Sequence, residues 1–302
     1  MRLSAPFLVL CSLLAAAPAG TAQARLDLIP EAGLGLDAPA PLSLHPLPDS
    51  LDAGPSPLRT AGVIGFGVGA AGYELVRRQV IDPRAHDAFT VEYDWSYARW
   101  ADKPGHAFST ALQTRIWAAG YRWAGHDDQT AALLGGATAF AGMLYYEVLD
   151  GFDLGVGFSP PDLGANAVGA GLVVAQALVP PLEAVDLKLS YWPSDGNTCD
   201  ASCDYEGQTA WLTVNPHRLA PVSARDVLPP WLNLAVGYGA RDGDVRFGFD
   251  ESVVYLGLDL ELAGLPIRGK VWEALVPWLR MIHLPAPALR LSPDVGVELL
   301  AY

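Results

Sequence analysis

Two short polar runs interrupt otherwise apolar, small-residue sequence, and both hold residue types that move protons. The first is Asp102-Lys103-Pro104-Gly105-His106; the second runs from Glu147 through Asp150-Gly151 to Ser159, Asp162 and Asn166. Ionisable groups on apolar segments are costly unless they are paired or put to use. A histidine among carboxylates has the chemistry of a general base or a metal ligand. That makes His106 the expected base, with Glu147 its partner, Lys103 an anion contact and Asp102 a further member of the catalytic set. Asp150, Ser159, Asp162 and Asn166 suit a substrate-binding or orienting shell, Asn166 by donating to an oxyanion. No metal ligand set is assigned and no cofactor is identified.

The spacing supports convergence. Asp102 and His106 are four apart, Glu147 and Asp150 three, Asp162 and Asn166 four. On helices each pair shares a face, so three elements can aim polar groups at one point. Structural roles compete: Asp102 as a helix cap, Asp162 completing a capping box begun by Ser159, Asp150-Gly151 as a helix exit. His106 with Glu147 could also be a buried pair that locks two helices. Capping accounts for none of His106, Glu147 and Asn166.

The elements that must position these residues change character along the chain. Residues 1–24 read as a secretory signal: Arg2, an apolar core from Pro6 to Ala17, then Ala22-Gln23-Ala24 as cleavage site. Leu10, not a small residue, precedes Cys11, so cleavage near Ala24 without a lipid anchor is expected. Residues 25–58 are Pro-rich and read as an extended arm or linker. Residues 59–181 read as a helical core of about four apolar helices. The first spans Thr60 to Val80, with Gly65, Gly67, Gly69 and Gly72 offering close backbone approach. An aromatic loop follows at Asp94-Trp95-Ser96-Tyr97 and Trp100. The second helix spans Asp102 to about Trp123, the third Gln129 to about Leu149. The fourth is capped at Ser159-Pro160-Pro161-Asp162 and continues to Leu178.

From residue 182 to 302 the period becomes two, at Leu187–Tyr191, Trp211–Val214, Leu232–Tyr238 and Val254–Leu262. Asp242-Gly243 reads as a tight turn. A late helix is expected near Lys270 to Met281, and a closing strand at Val295 to Tyr302. The expected fold class is therefore α+β: a helical bundle, then a mostly antiparallel sheet of four or five strands. So few strands fall short of the eight or so of a closed membrane barrel, and the apolar strand faces are expected to pack on the helices. A sheet facing outer-membrane lipid is the alternative.

Composition bounds the function. A formal charge of −14 with no basic run argues against nucleic acid and against an anionic membrane surface as partners. Cys199 and Cys203, four apart in an exported chain, are expected to close a small disulfide loop. Walker, G-x-S-x-G, H-E-x-x-H and calcium-loop patterns are absent. His45, His86, His126, His217 and His283 stand alone and read as surface or structural residues.

Asp102-Lys103-x-Gly105-His106-Ala107-Phe108, with Glu147-x-x-Asp150-Gly151-Phe152 and Gly157-Phe158-Ser159-x-x-Asp162-x-x-x-Asn166-x-x-Gly169, resembles the YfiM-like family of predicted periplasmic lipoproteins, a bacterial domain of unknown function. The resemblance extends into Gly207-Gln208-Thr209-x-Trp211-Leu212, Trp231–Gly239 and Leu284-Pro285-Ala286-Pro287. More remotely, the D-K-x-x-H, E, D-x-x-x-N order is similar to VanZ-like membrane proteins, which implies a small helical bundle with a polar centre. Two functions follow as expectations for an exported protein of the periplasm or outer membrane. One is binding or processing of a lipid or lipid-linked envelope precursor; the other is a non-catalytic structural or interaction role. The possible partners are an envelope lipid or the outer membrane, and no protein partner is identified.

Overall fold

The computed structural model describes residues 54–81, 83–195, 201–244 and 248–302. The signal segment, nearly all of the Pro-rich arm and Cys199 fall outside these residues. Helix α1 (Pro57–Val76) begins within the expected arm: Ser56 caps it and Pro57 takes the first position, where proline costs no hydrogen bond. A π-helical turn, Arg77–Ile81, extends it. Helix α2 (Asp102–Trp123), α3 (Asp128–Asp150) and α4 (Pro160–Leu178) follow. Asp127 caps α3 by accepting from the Thr130 amide at 2.9 Å, and Ser159 caps α4 by accepting from the Asp162 amide at 3.1 Å. Short helices α5 (Pro216–Leu219) and α6 (Val222–Arg225) and the late helix α7 (Lys270–Leu279) complete the α-helices among the described residues.

Helices α2, α3 and α4 form the tight bundle. The close approaches expected of the α1 glycines do not occur: Gly65, Gly69 and Gly72 have open space where a side chain would sit, and Gly67 faces only the Trp117 ring. The contact falls instead at Gly169 of α4, where a Cβ would collide with the Ala107 carbonyl of α2. Residue 169 therefore sets how near α4 lies to α2.

Six antiparallel strands run in sequence order: β1 (Val185–Tyr191), β2 (Gln208–Val214), β3 (Leu232–Asp244), β4 (Gly248–Leu260), β5 (Ala286–Ser292) and β6 (Gly296–Ala301). The count exceeds the expected four or five because Pro285 and Pro287 hide β5. Asp242-Gly243 is not the hairpin turn; Asp242 has a left-handed φ of 52°, yet Gly243 pairs with Phe249 and Asp244 with Gly248.

The sheet is curled. In a flat sheet β2 and β6 would lie four spacings apart, roughly 19 Å. Instead Thr209 Oγ1 of β2 donates to the Tyr302 carbonyl at 2.9 Å, and Trp211 shares a core with Ala288 and Ala301. Gly237 permits this, because any Cβ there would strike the Trp211 ring.

The polarity of the sheet is the reverse of the expected one. One rung, Leu187–Leu212–Val236–Leu256–Leu289–Val297, crosses all six strands in register. It faces outward: Leu212, Val236 and Leu256 are each about half exposed and Val297 is 76% exposed. Leu234, Leu258, Leu291 and Leu299 are likewise exposed. The inner face carries Asp186, Lys188, Thr209, Thr213, Asn233 and Asp259, all buried. The apolar faces therefore do not pack on the helices. The polar faces turn inward because ion pairs await them there. Lys188 Nζ donates to Asp259 Oδ2 at 2.6 Å, both side chains fully buried, and His283 Nδ1 lies 2.9 Å from Asp259 Oδ1. Arg115 of α2 and Arg280 after α7 both grip Asp186, at 2.8 and 3.1 Å, and tie helices to sheet.

Candidate functional site

Helix α2 starts without a side-chain cap, since its N-cap position is Ala101. Asp102 is thereby released from capping and turns into the protein. Its Oδ2 accepts from Lys103 Nζ at 2.8 Å and its Oδ1 from Tyr205 Oη at 2.5 Å. Lys103 Nζ also donates to Asp162 Oδ1 at 2.5 Å and lies 3.0 Å from Asp94 Oδ1. One ammonium thus gathers three carboxylates from the aromatic loop, α2 and α4. One turn along α2, His106 Nε2 lies 3.5 Å from Asp102 Oδ1 and 3.7 Å from Asp162 Oδ2.

The other ring nitrogen, Nδ1, is 3.3 Å from Asn166 Oδ1 and 4.0 Å from Glu147 Oε1. Asn166 Oδ1 also accepts from Thr110 Oγ1 at 2.7 Å. Glu147, near the end of α3, does the work that a capping box assigns to Asp162. The Ser159 amide donates to Glu147 Oε2 at 3.2 Å, and this leaves the Asp162 carboxylate to Lys103 and His106. Ser159 Oγ also donates to Asp94 Oδ1 at 2.5 Å.

Asp102, Lys103, His106, Glu147, Ser159, Asp162 and Asn166 are thus brought together. Asp150 is not. It accepts from Arg78 Nη1 at 2.5 Å and belongs to a separate cluster with Glu74, Arg84 and Asp153. Three members of the centre escape a sequence reading: Asp94, Thr110 and Tyr205. Asp94 sits in the aromatic loop close before Asp102 and could have been found there; nothing in the sequence marks Tyr205. His283, read as an isolated histidine, is fully buried, stacked on Trp211 with ring centroids 3.8 Å apart and paired with Asp259.

The electrostatics follow from burial set against pairing. Burial disfavours the His106 imidazolium, but Asp102, Asp162 and Glu147 outweigh it and raise the pKa to about 9. Burial raises Glu147 to about 7 against the Ser159 amide and His106, and raises Asp162 to about 6 against His106 and Lys103. Asp102 is held well below the carboxylate range: burial opposes its charge, yet His106, Lys103 and Tyr205 prevail. Lys103 is held above its ordinary value, because its carboxylates overcome burial. Burial and the adjacent Asp102 both keep the Tyr205 hydroxyl protonated.

Chemically, the centre holds protons at neutral pH on His106 and, in part, on Glu147. Asp102, His106 and Asp162 offer ligand atoms within 4.8 Å of one another, a geometry compatible with a cation. Lys103 Nζ already bridges the two carboxylates, so the charge a metal would supply is present. His106, 24% exposed along its side chain, is the most accessible of the expected catalytic residues. Two cavities, of about 250 and 570 Å³, lie elsewhere and are lined by none of the centre's residues. The larger abuts Ala98, Arg99 and Trp100, three consecutive residues with left-handed φ of 45°, 49° and 72°. This strained turn is held by Ala98 packing on Ala240 and Phe249, and by a Tyr238 hydroxyl bond to the Arg99 carbonyl. The loop presents Trp95 and Trp100, each 51% exposed, to the outside.

Residues 93–177 match a family described as a predicted periplasmic lipoprotein, DUF2279, a domain of unknown function. The matched span holds every residue of the polar centre except Tyr205, and none of the sheet. No curated protein and no solved structure matches the chain. The family description supports an exported, periplasmic protein. Its word "lipoprotein" differs from the anchor-free export expected from Leu10 and Cys11, which lie outside the described residues.

Proposed function

We propose that this is a lipid-contacting protein of the cell envelope, which sets the outer face of its curled sheet against the acyl layer of a membrane. The observation that carries the reading is the aliphatic rung from Leu187 to Val297, exposed on five of its six strands from Leu212 to Val297, opposite an inner face of buried charge. Soluble proteins rarely expose contiguous apolar surface on this scale. Strands that are apolar outside and polar inside are the pattern of sheets facing lipid. The polar centre then serves as a clamp: it fastens the ends of α2, α3 and α4 to the aromatic loop and, through Tyr205, to the segment leading into β2. The disulfide expected between Cys199 and Cys203 would staple that same segment.

Vesicle flotation tests this reading. Wild-type protein is expected to float with phosphatidylcholine vesicles, and the pair Leu212→Asp with Leu256→Asp to remain in the dense fraction. Both positions are half exposed, so the folded state tolerates the change. Each charge at lipid depth costs about 2–4 kcal/mol at most. Flotation of the double variant equal to wild type would overturn the proposal.

A catalytic reading keeps one observation in its favour: His106 and Glu147 lie 4.0 Å apart, and burial raises Glu147 to about 7, where it exchanges a proton at neutral pH. It requires that His106→Ala abolish a lipid-directed activity in a folded protein.

A further inference from the structure

The larger cavity, of about 570 Å³, lies at one end of the sheet's outer face. Tyr238 and Ser252 form one wall, and alternation puts them on the same side of β3 and β4 as the exposed Leu234, Val236, Leu256 and Leu258. Ser252 is four positions from Leu256 of the aliphatic rung, roughly 13 Å along the strand. The strained turn supplies the facing wall, with Ser96, Arg99 and Trp100. Its left-handed backbone is pinned to the sheet: Ala98 packs on Ala240 and Phe249, and the Tyr238 hydroxyl holds the Arg99 carbonyl. The cavity is therefore preformed between two fixed elements. Its size is within the ~300–1,000 Å³ of sites that hold small ligands.

The lining residues say what such a ligand carries. Arg99 and Trp100 both line the cavity and both are exposed, so a molecule in solvent reaches them directly. No ion pair joins Arg99 to a carboxylate among the described residues. A free guanidinium with the hydroxyls of Ser96 and Ser252 around it is a set of donors suited to phosphate oxygens. Trp95 and Trp100 stand together at this turn, ring centroids 5.9 Å apart. Tryptophan joins an apolar body to one N–H donor, the combination enriched where acyl chains meet water. Phosphate donors, interfacial aromatics and an adjoining apolar sheet face thus occur in one place.

We infer that this cavity seats the phosphate of a phospholipid headgroup on Arg99, with Trp95 and Trp100 at the level where headgroups meet acyl chains. The inference rests on the lipid-contacting reading for the source of its ligand. With Leu256 deep among acyl chains, half a hydrocarbon core, about 15 Å, ends close to the cavity. The site adds what an apolar face alone lacks: a fixed depth and a preference for lipids that carry phosphate.

The test measures binding of the full chain to vesicles of phosphatidylcholine and to vesicles of digalactosyldiacylglycerol, an uncharged bilayer lipid without phosphate. Wild type is expected to prefer phosphatidylcholine by about tenfold, the size of one charge-assisted hydrogen bond. Arg99→Gln, at an exposed position, should bind the two equally, while Arg99→Lys should keep part of the preference. Ser252→Leu, which fills the cavity from the sheet side, should also erase the preference and serves if Arg99→Gln does not fold. Equal wild-type affinity for both vesicle types overturns the inference and leaves the sheet's role intact. A preference that folded Arg99→Gln retains overturns it as well. If neither vesicle binds, the sheet reading fails and soluble glycerophosphocholine is added. A shift of the Trp100 indole N–H resonance then keeps the phosphate chemistry but overturns the lipid source, and no shift overturns both.

Discussion

Replacing Lys103 by methionine removes one ammonium and strands three carboxylates. In the native protein Nζ lies 2.5 Å from Asp162, 2.8 Å from Asp102 and 3.0 Å from Asp94, with the lysine side chain only 10% exposed. Methionine fills nearly the same volume, so the packing loss is small and the electrostatic loss dominates. Removing one partner of a buried ion pair costs about 3–5 kcal/mol, because the charge left behind is unpaired. That is a large part of the 5–15 kcal/mol that typically separates folded from unfolded states. At about 2–4 °C per kcal/mol for a chain of this size, Tm should fall by roughly 6–20 °C. The loss should shrink as the pH falls through about 6, where Asp162 takes up a proton and no longer needs the lysine. Adding Asp162→Asn to Lys103→Met should restore part of the stability, with a coupling of about 1–3 kcal/mol in a double-mutant cycle. Urea unfolding followed by tryptophan fluorescence measures all three variants. A loss below about 1 kcal/mol for Lys103→Met, or strict additivity in the cycle, would refute the clamp.

His106 predicts a pH dependence of definite sign. Its pKa is raised from 6.5 to about 9 in the folded protein, so its stabilisation is complete below about 6.5 and is lost as pH rises through 9. The shift corresponds to about 3 kcal/mol, and His106→Gln should flatten stability between pH 7 and 10 in denaturant titrations. Glu147, raised from 4.5 to about 7, acts in the same direction at lower pH, so Glu147→Gln should flatten the slope between pH 5 and 7 while keeping an acceptor for the Ser159 amide. Gly169→Ala should destabilise by about 1–3 kcal/mol through overpacking against the Ala107 carbonyl, whereas Gly65→Ala, in open space on α1, should be neutral or slightly stabilising by thermal melt.

The helices were legible because their ends carry their own chemistry. Ser159-Pro160-Pro161 and His126-Asp127-Asp128 mark the starts of α4 and α3, and the apolar runs between have no competing period. The polar centre was legible as a set, since capping leaves His106, Glu147 and Asn166 unexplained. The role of each member was not. Whether Glu147 or Asp162 reaches the Ser159 amide depends on how α3 sits against α4, which spacing does not determine. Asp150 followed the same helix end yet turned to Arg78, because α1 delivers a buried cation there. The direction in which the sheet faces was the largest difference. Alternation tells that Leu256 and Asp259 lie on opposite faces, but not which face is covered. Lys188, Asn233 and His283, scattered over almost a hundred residues, close around Asp259 and draw the polar face inward.

The outer face of the sheet is the claim on which the functional account stands, and its depth in lipid can be measured directly. An environment-sensitive fluorophore on a cysteine introduced at Leu256, at the centre of the aliphatic rung, is read in vesicles whose acyl chains carry bromine. The expected result is a blue shift with strong quenching by the bromolipid, and protection from iodide in the water, while the same label at Asp242 shows the reverse. A label at Leu256 that iodide quenches equally with and without vesicles, and that bromolipid leaves unchanged, would contradict it.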